Sequence, residues 1–130
     1  MRKVLLVAIA ASAAGCVSPA PAPDYEPRPL TADEVRQVET DIRRELRNPD
    51  ALFSGLKGAA SPTGPFVVCG WVNQRDDFDE FPRFVGHRPF VANYADRQGT
   101  LREFRMVYLA NVKSEAPPLY SYCSRKKIPL

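Results

Sequence analysis

Between Val17 and Pro29, prolines stand at positions 19, 21, 23, 27 and 29. Proline lacks a backbone N–H and fixes φ, so this spacing excludes a helix and disfavours a sheet ladder. Extended, polyproline-like chain remains, with about 3 Å of reach per residue. Folding is thereby confined to the roughly 100 residues that follow, enough for one domain around one core.

The residues ahead of the prolines have the three parts of an export signal. Arg2 and Lys3 are positive, Val4 to Ala11 is apolar, and Ser12-Ala13-Ala14-Gly15 is small. The apolar part falls short of the about 20 residues needed to span a bilayer, so a targeting segment is expected and not a permanent membrane helix. Every Asp and Glu lies after residue 15. Without Arg2 and Lys3 the 18 basic residues fall to 16 against 15 acidic ones, a formal net charge of +1. That balance gives no electrostatic ground for a nucleic-acid partner.

Ala13-Ala14-Gly15-Cys16 resembles the lipobox of bacterial lipoproteins, with Ala13 where Leu is usual. The resemblance implies cleavage before Cys16, a lipid such as palmitate on that residue, and attachment to the membrane through it. Val17 stands where inner-membrane lipoproteins carry a retaining Asp, so by analogy the expected address is the outer membrane, facing the periplasm. The alternative is ordinary cleavage after Ala11-Ser12-Ala13 and release of a soluble protein. Three cysteines are an odd number for an exported chain. If Cys16 carries lipid, Cys69 and Cys123 remain and can pair, closing a loop whose constraint is worth roughly 4 kcal/mol. The alternative is two buried reduced thiols.

The first ordered element is expected as a helix from Ala32 to Arg47. Thr31 can cap it, Glu34 completes a capping box, and Asp33 with Glu34 suits the positive end of the helix dipole. Arg43, Arg44 and Arg47 suit the other end, and Val35, Val38, Ile42 and Leu46 form one apolar stripe. Asn48-Pro49 stops the helix.

A short turn at Asp50 to Ser54 and a loop through the Gly and Pro residues at 55, 58, 62, 64 and 65 are expected next. Phe66 to Val72 then reads as a strand buried on both faces. Phe90–Ala95 and Leu101–Ala110 read as two more strands, joined by a hairpin turn at Asp96–Thr100. In the second, Phe104, Met106 and Tyr108 share one face and Arg105, Val107 and Leu109 the other. Pro117-Pro118 reads as a break, Leu119 to Cys123 as a short edge strand, and 125–130 as a basic tail. The expected architecture is α+β, with one N-terminal amphipathic helix packed on a small antiparallel sheet of three to four strands. The boundaries are 1–15 for the signal, 16–30 for the tether, 31–124 for the domain and 125–130 for the tail.

Val68-Cys69-Gly70-Trp71-Val72-Asn73, with the Asn48-Pro49-Asp50-Ala51 turn before it and Arg88-Pro89-Phe90 after it, resembles a group of small exported proteins of proteobacteria. The resemblance covers about residues 47 to 95 and implies one structural unit, with no activity to transfer. Within it, the stretch from Asn73 to Arg88 combines Phe78, Phe81 and Phe84 with Arg75, Arg83 and Arg88. Aromatic and Arg side chains are enriched at binding hot spots, so Trp71, Phe78, Phe81, Phe84, Arg83 and Arg88 form the candidate binding set. The other reading is that the rings fold back to cap the sheet.

Catalytic and metal chemistry find little support. His87 is the only histidine, and no nucleophile elbow, zinc-protease helix or phosphate-cradling glycine loop is present. Asp76, Asp77, Asp79 and Glu80 lack the spacing and turn glycine of a calcium loop. Cys69, Cys123 and one histidine do not make a zinc site. The expected function is therefore a non-enzymatic, lipid-anchored envelope module without cofactor, binding an envelope protein or a glycan. A small inhibitor of a lytic enzyme such as lysozyme is the second reading, and a hydrolase built from scattered acids the third.

Overall fold

Thr31 starts the first helix as its spacing to Glu34 predicts. A computed structural model describes residues 15, 16, 18, 19, 23–74, 86–97 and 100–130. Helix α1 occupies Ala32–Leu46. The Glu34 N–H donates to Thr31 Oγ1 at 3.2 Å, and the Glu34 carboxylate accepts the Thr31 N–H at 2.9 Å. Arg47 closes the helix in the left-handed region at φ 51°, its N–H turned back to the carbonyls of Arg43 and Arg44. The stripe faces inward, with Val38 and Ile42 fully buried and Leu46 packed beside them.

Five strands follow the order of the chain in one antiparallel sheet: β1 Glu26–Pro27, β2 Leu52–Ala60, β3 Phe66–Asn73, β4 His87–Arg97 and β5 Thr100–Leu109. The α+β class holds. The strand β3 is central, and Val67, Val68 and Cys69 are all fully buried. Arg97 pairs with Thr100 where β4 turns into β5.

The sheet is covered on both faces. Under α1 lie Phe66, Val68, Val72, Phe90, Ala92, Tyr94 and Leu101. On the opposite face Val67, Cys69 and Val91 pack with Ala59, Leu119, Cys123, Ile128 and Tyr25. The expected last edge strand is instead a second helix, α2, at Ala116–Arg125. Pro117 and Pro118 begin it and do not break the chain: first-turn residues need no N–H partner, and the proline φ is already helical. Ala116, Leu119 and Cys123, spaced three and four apart, form its buried face.

The predicted loop at 55–65 is largely strand. Gly55 takes φ +61° where β2 bulges between Ser54 and Lys57, so one glycine absorbs the irregularity and pairing resumes at Lys57–Cys69. Gly58 leaves room for its neighbours: a Cβ there would lie 2.9 Å from the Arg28 carbonyl and against the Phe66 ring. The predicted faces of β5 also need correction. Leu109 pairs with Phe90, Tyr108 with Val91 and Met106 with Ala92, so Val107 is an extra residue. Leu109 therefore joins Phe104 and Met106 on the α1 side, and Tyr108 turns to the other face.

Both ends of the expected domain also extend. Tyr25, placed in the tether by sequence, is 3% exposed, and β1 pairs with Ala59 and Ala60. At the other end Ile128 is 1% exposed, and Lys127 reaches Glu26 at 2.5 Å and Asp24 at 3.4 Å. The basic end thus clasps the segment that enters the fold.

Arg28 links that segment to α1. Its guanidinium lies 4.0 Å from the Phe66 ring centroid and donates to both Glu34 carboxylate oxygens at 3.0–3.2 Å. Burial by itself would raise the Glu34 carboxyl. The Arg28 hydrogen bonds, the Thr31 N–H and the Arg28 charge outweigh it and hold the pKa below the usual glutamate range. A folded-state pKa below the unfolded one gives stability that is present above the unfolded value and is lost as pH falls through the folded one. Glu34→Gln is expected to unfold more easily than the parent at about pH 7, with the difference shrinking as pH falls below the usual glutamate range. Chemical denaturation across that range checks it, and a constant difference would contradict the ion-pair account.

Candidate functional site

Antiparallel register assembles the candidate site at one end of the sheet. Leu52 stands opposite Asn73 and Asn73 opposite His87, while Ser54 stands opposite Trp71 and Trp71 opposite Pro89. Directly paired residues share a face, as do residues two apart, so these six lie on the face that carries Cys69. That is the α2 side. The helix covers Val67, Cys69 and Val91, and its Tyr120 ring meets Trp71 at 5.6 Å between centroids, with 49° between the planes. Beyond Tyr120 the face opens: Leu52 is 46% exposed, Ser54 and His87 are exposed, and Trp71 is half-buried.

Ser54 Oγ and His87 Nδ1 are 3.4 Å apart, the long end of a hydrogen bond. Gly55 lies beside the Trp71 edge, where a Cβ would come within 3.1 Å of Cδ1 and 3.6 Å of Nε1. The Trp71 indole N–H has no hydrogen-bond partner among the described residues. The arrangement offers an aromatic ring, an indole donor, a hydroxyl and an imidazole on one surface.

The sequence-predicted residues divide into three groups. Trp71 lies in this surface. Arg88 does not serve it: it donates through Nε to the Ala110 carbonyl at 2.9 Å, contacts the Asn111 side chain, and holds β4 to the turn after β5. Phe78, Phe81, Phe84 and Arg83 lie outside the described residues. Sequence reasoning passed over Leu52, Ser54 and Tyr120. Reading β2 as a loop hid the register that brings Ser54 to Trp71, and reading Leu119–Cys123 as a strand hid the helix that brings Tyr120.

The cysteines resolve into a pair and a single residue. Cys69 and Cys123 are bonded, with their Cα atoms 6.3 Å apart, which ties α2 to the central strand. Cys16 is free and exposed. Among the described residues no three His, Cys, Asp or Glu side chains are grouped to hold a metal ion, and no helix is long and apolar enough to cross a membrane.

A second surface, at the end of α1, gathers Arg43, Arg44 and Arg47 around a shallow depression with Thr40, Asn48 and Pro49. Two of its guanidinium groups are engaged. Arg43 pairs with Glu39 at 3.2 Å, donates to the Ala51 carbonyl and lies over Phe53, and Arg44 pairs with Asp41 at 3.2 Å. They fasten the helix end to itself and to β2. No family model matches the chain, and neither a curated protein nor a solved structure matches it.

Proposed function

We propose that this chain is a lipid-anchored protein of the bacterial envelope, attached through Cys16 and facing the periplasm from the outer membrane, and that its domain binds an envelope protein or glycan and is not a catalyst. The observation that carries the reading is the division of the cysteines. Cys69 and Cys123 are bonded, as suits an oxidising compartment, and Cys16 is left exposed and without a partner. Its place after Ala13-Ala14-Gly15 gives that single thiol a chemical role.

An anchor at Cys16 would be constrained by where the fold begins. Tyr25 packs against the sheet, and Lys126 Nζ lies 4.3 Å from its ring centroid. Nine residue steps separate Cys16 from Tyr25, which in polyproline geometry would span at most about 28 Å. The attachment lies at the Ala59–Ala60 end of β2, whereas Leu52, Asn73 and His87 lie at the other end of the strands. An anchored domain would hold the Trp71 surface at the end of the sheet away from the tether.

The test is detergent-phase partition of the full chain expressed in a Gram-negative host. The parent is expected in the detergent phase and Cys16→Ser in the aqueous phase, with unchanged stability, because Cys16 makes no bond within the fold. Partition that does not depend on Cys16 would overturn the anchor.

A further inference from the structure

We propose that the edge strand β5 carries a contact surface for an anionic lipid bilayer, formed by Arg102, Arg105 and Tyr108. The proposal rests on the anchored reading above only for which surface the domain meets, and its test needs no lipid on Cys16.

These residues stand three apart in sequence, a spacing that would alternate between the two faces of a regular strand. Two bulges cancel the alternation. Phe104 packs against Tyr94, so Glu103, in the left-handed region at φ 54°, is the extra residue between the Arg102–Ala95 and Arg105–Asn93 pairings. Val107 is the extra residue between the Met106–Ala92 and Tyr108–Val91 pairings. Because Val91, Asn93 and Ala95 alternate regularly along β4, their partners Tyr108, Arg105 and Arg102 share one face, the α2 side that carries Cys69. All three are exposed, and neither arginine has a hydrogen bond or an ion pair among the described residues. A left-handed backbone costs a non-glycine residue, so this alignment is held against strain.

Guanidinium groups in line with a tyrosine suit the level of lipid headgroups, where arginine donates to phosphate and the phenol ring lies between apolar and wet layers. The place where the chain enters the fold selects a bilayer as the occupant. Pro27 pairs with Ala59, Ala59 with Val67, Val67 with Asn93 and Asn93 with Arg105, one row from β1 to β5. Four strand spacings make that row about 19 Å wide, less than the span of at most about 28 Å between Cys16 and Tyr25. An acyl chain on Cys16 would therefore bring this row to the membrane, and the Leu52 end of the sheet would stay away from it. Lys126, over the Tyr25 and Tyr122 rings, adds a cation at the β1 end of the row. Of the acids near the row, Asp24 and Glu26 are engaged by Lys127, and Asp96 pairs with Leu101 on the α1 face. Glu103 at the bulge is left to offset Arg102, Arg105 and Lys126.

The experiment sediments the chain from residue 16 onward, which holds every strand and helix of the fold, with two kinds of vesicle. One is phosphatidylcholine alone, and the other also holds about 40% phosphatidylglycerol. The chain carries Cys16→Ser, which takes the anchor out of the assay, so failure of the anchor and failure of this surface are separate outcomes. Retention is expected with phosphatidylglycerol only, and is expected to be lost as salt is raised to about 0.5 M. Arg102→Ala/Arg105→Ala, at two exposed positions, is expected to weaken retention by about tenfold or more. Arg47→Asn removes a charge at the other end of the sheet, from an exposed left-handed position that Asn tolerates, and is expected to leave retention unchanged. No retention at about 5 mM lipid, retention indifferent to phosphatidylglycerol, or as large a loss in Arg47→Asn would overturn the surface. Competition by soluble polyglutamate at equal charge would assign the residues to an acidic protein and overturn it too.

Discussion

Replacing both Cys69 and Cys123 with Ala is expected to lower the unfolding free energy by about 4 kcal/mol. The two residues are 54 apart in sequence, so the bond removes a long loop from the unfolded ensemble. In the folded state it joins the central strand β3 to α2, and both cysteines are fully buried. A domain of this size has a total stability of about 5–15 kcal/mol, so the loss is a large fraction of it. The expected fall in Tm is about 15–30 °C. The double Ala variant separates the cross-link from the effect of one stranded thiol. Urea and thermal unfolding measure the difference, and a change below about 1 kcal/mol would mean that α2 is held by packing alone.

Phe66→Ala is the second large effect, at about 3–5 kcal/mol. The ring is 1% exposed, fills the space that Gly58 leaves, and lies in the core beneath α1. Arg28 rests on its other side and ties to Glu34 in the helix cap. The substitution therefore opens a cavity and also loosens the segment that leads into α1. The two consequences are separable by a double-mutant cycle with Arg28→Ala, for which a coupling of about 0.5–1 kcal/mol or more is expected. Strict additivity would place Arg28 outside the support of the cap. Phe66→Leu is expected to retain a good part of the lost stability by keeping most of the buried volume.

Where several local signals coincide, the sequence is readable. In α1 the capping box, the charges at each end and the apolar stripe agree, and the helix stands within one residue of expectation at its C-terminal end. In β3 bulk and β-branching point to burial on both faces, and both faces are buried. The misreadings arise where one residue type has two uses. Pro117-Pro118 reads as a break from composition, yet proline also suits a first helical turn. The Ala116, Leu119, Cys123 spacing was the signal that separated the two.

Glycines 55 and 58 argue for a loop by propensity, but one absorbs a bulge and the other admits a ring across the strand. At Val107 a single extra residue exchanges the two faces of β5 beyond it, which alternation counted from one end does not detect. The candidate site follows the same pattern. Trp71 is visible as an aromatic in a strand, but Ser54 joins it only through the β2–β3 register and Tyr120 only through α2. Arg88 looks like a binding residue by type, and its place beside the Ala110 carbonyl gives it a structural task.

The central claim is that Cys16 is acylated while Cys69 and Cys123 are joined, and mass spectrometry of the intact protein from the membrane fraction of a Gram-negative host tests both halves together. The account predicts a mature chain beginning at Cys16, carrying a diacylglyceryl group with or without a third acyl chain, and two hydrogens lighter than the fully reduced form. A chain beginning at Ala14 after cleavage behind Ala11-Ser12-Ala13, with an unmodified Cys16 thiol, would contradict it.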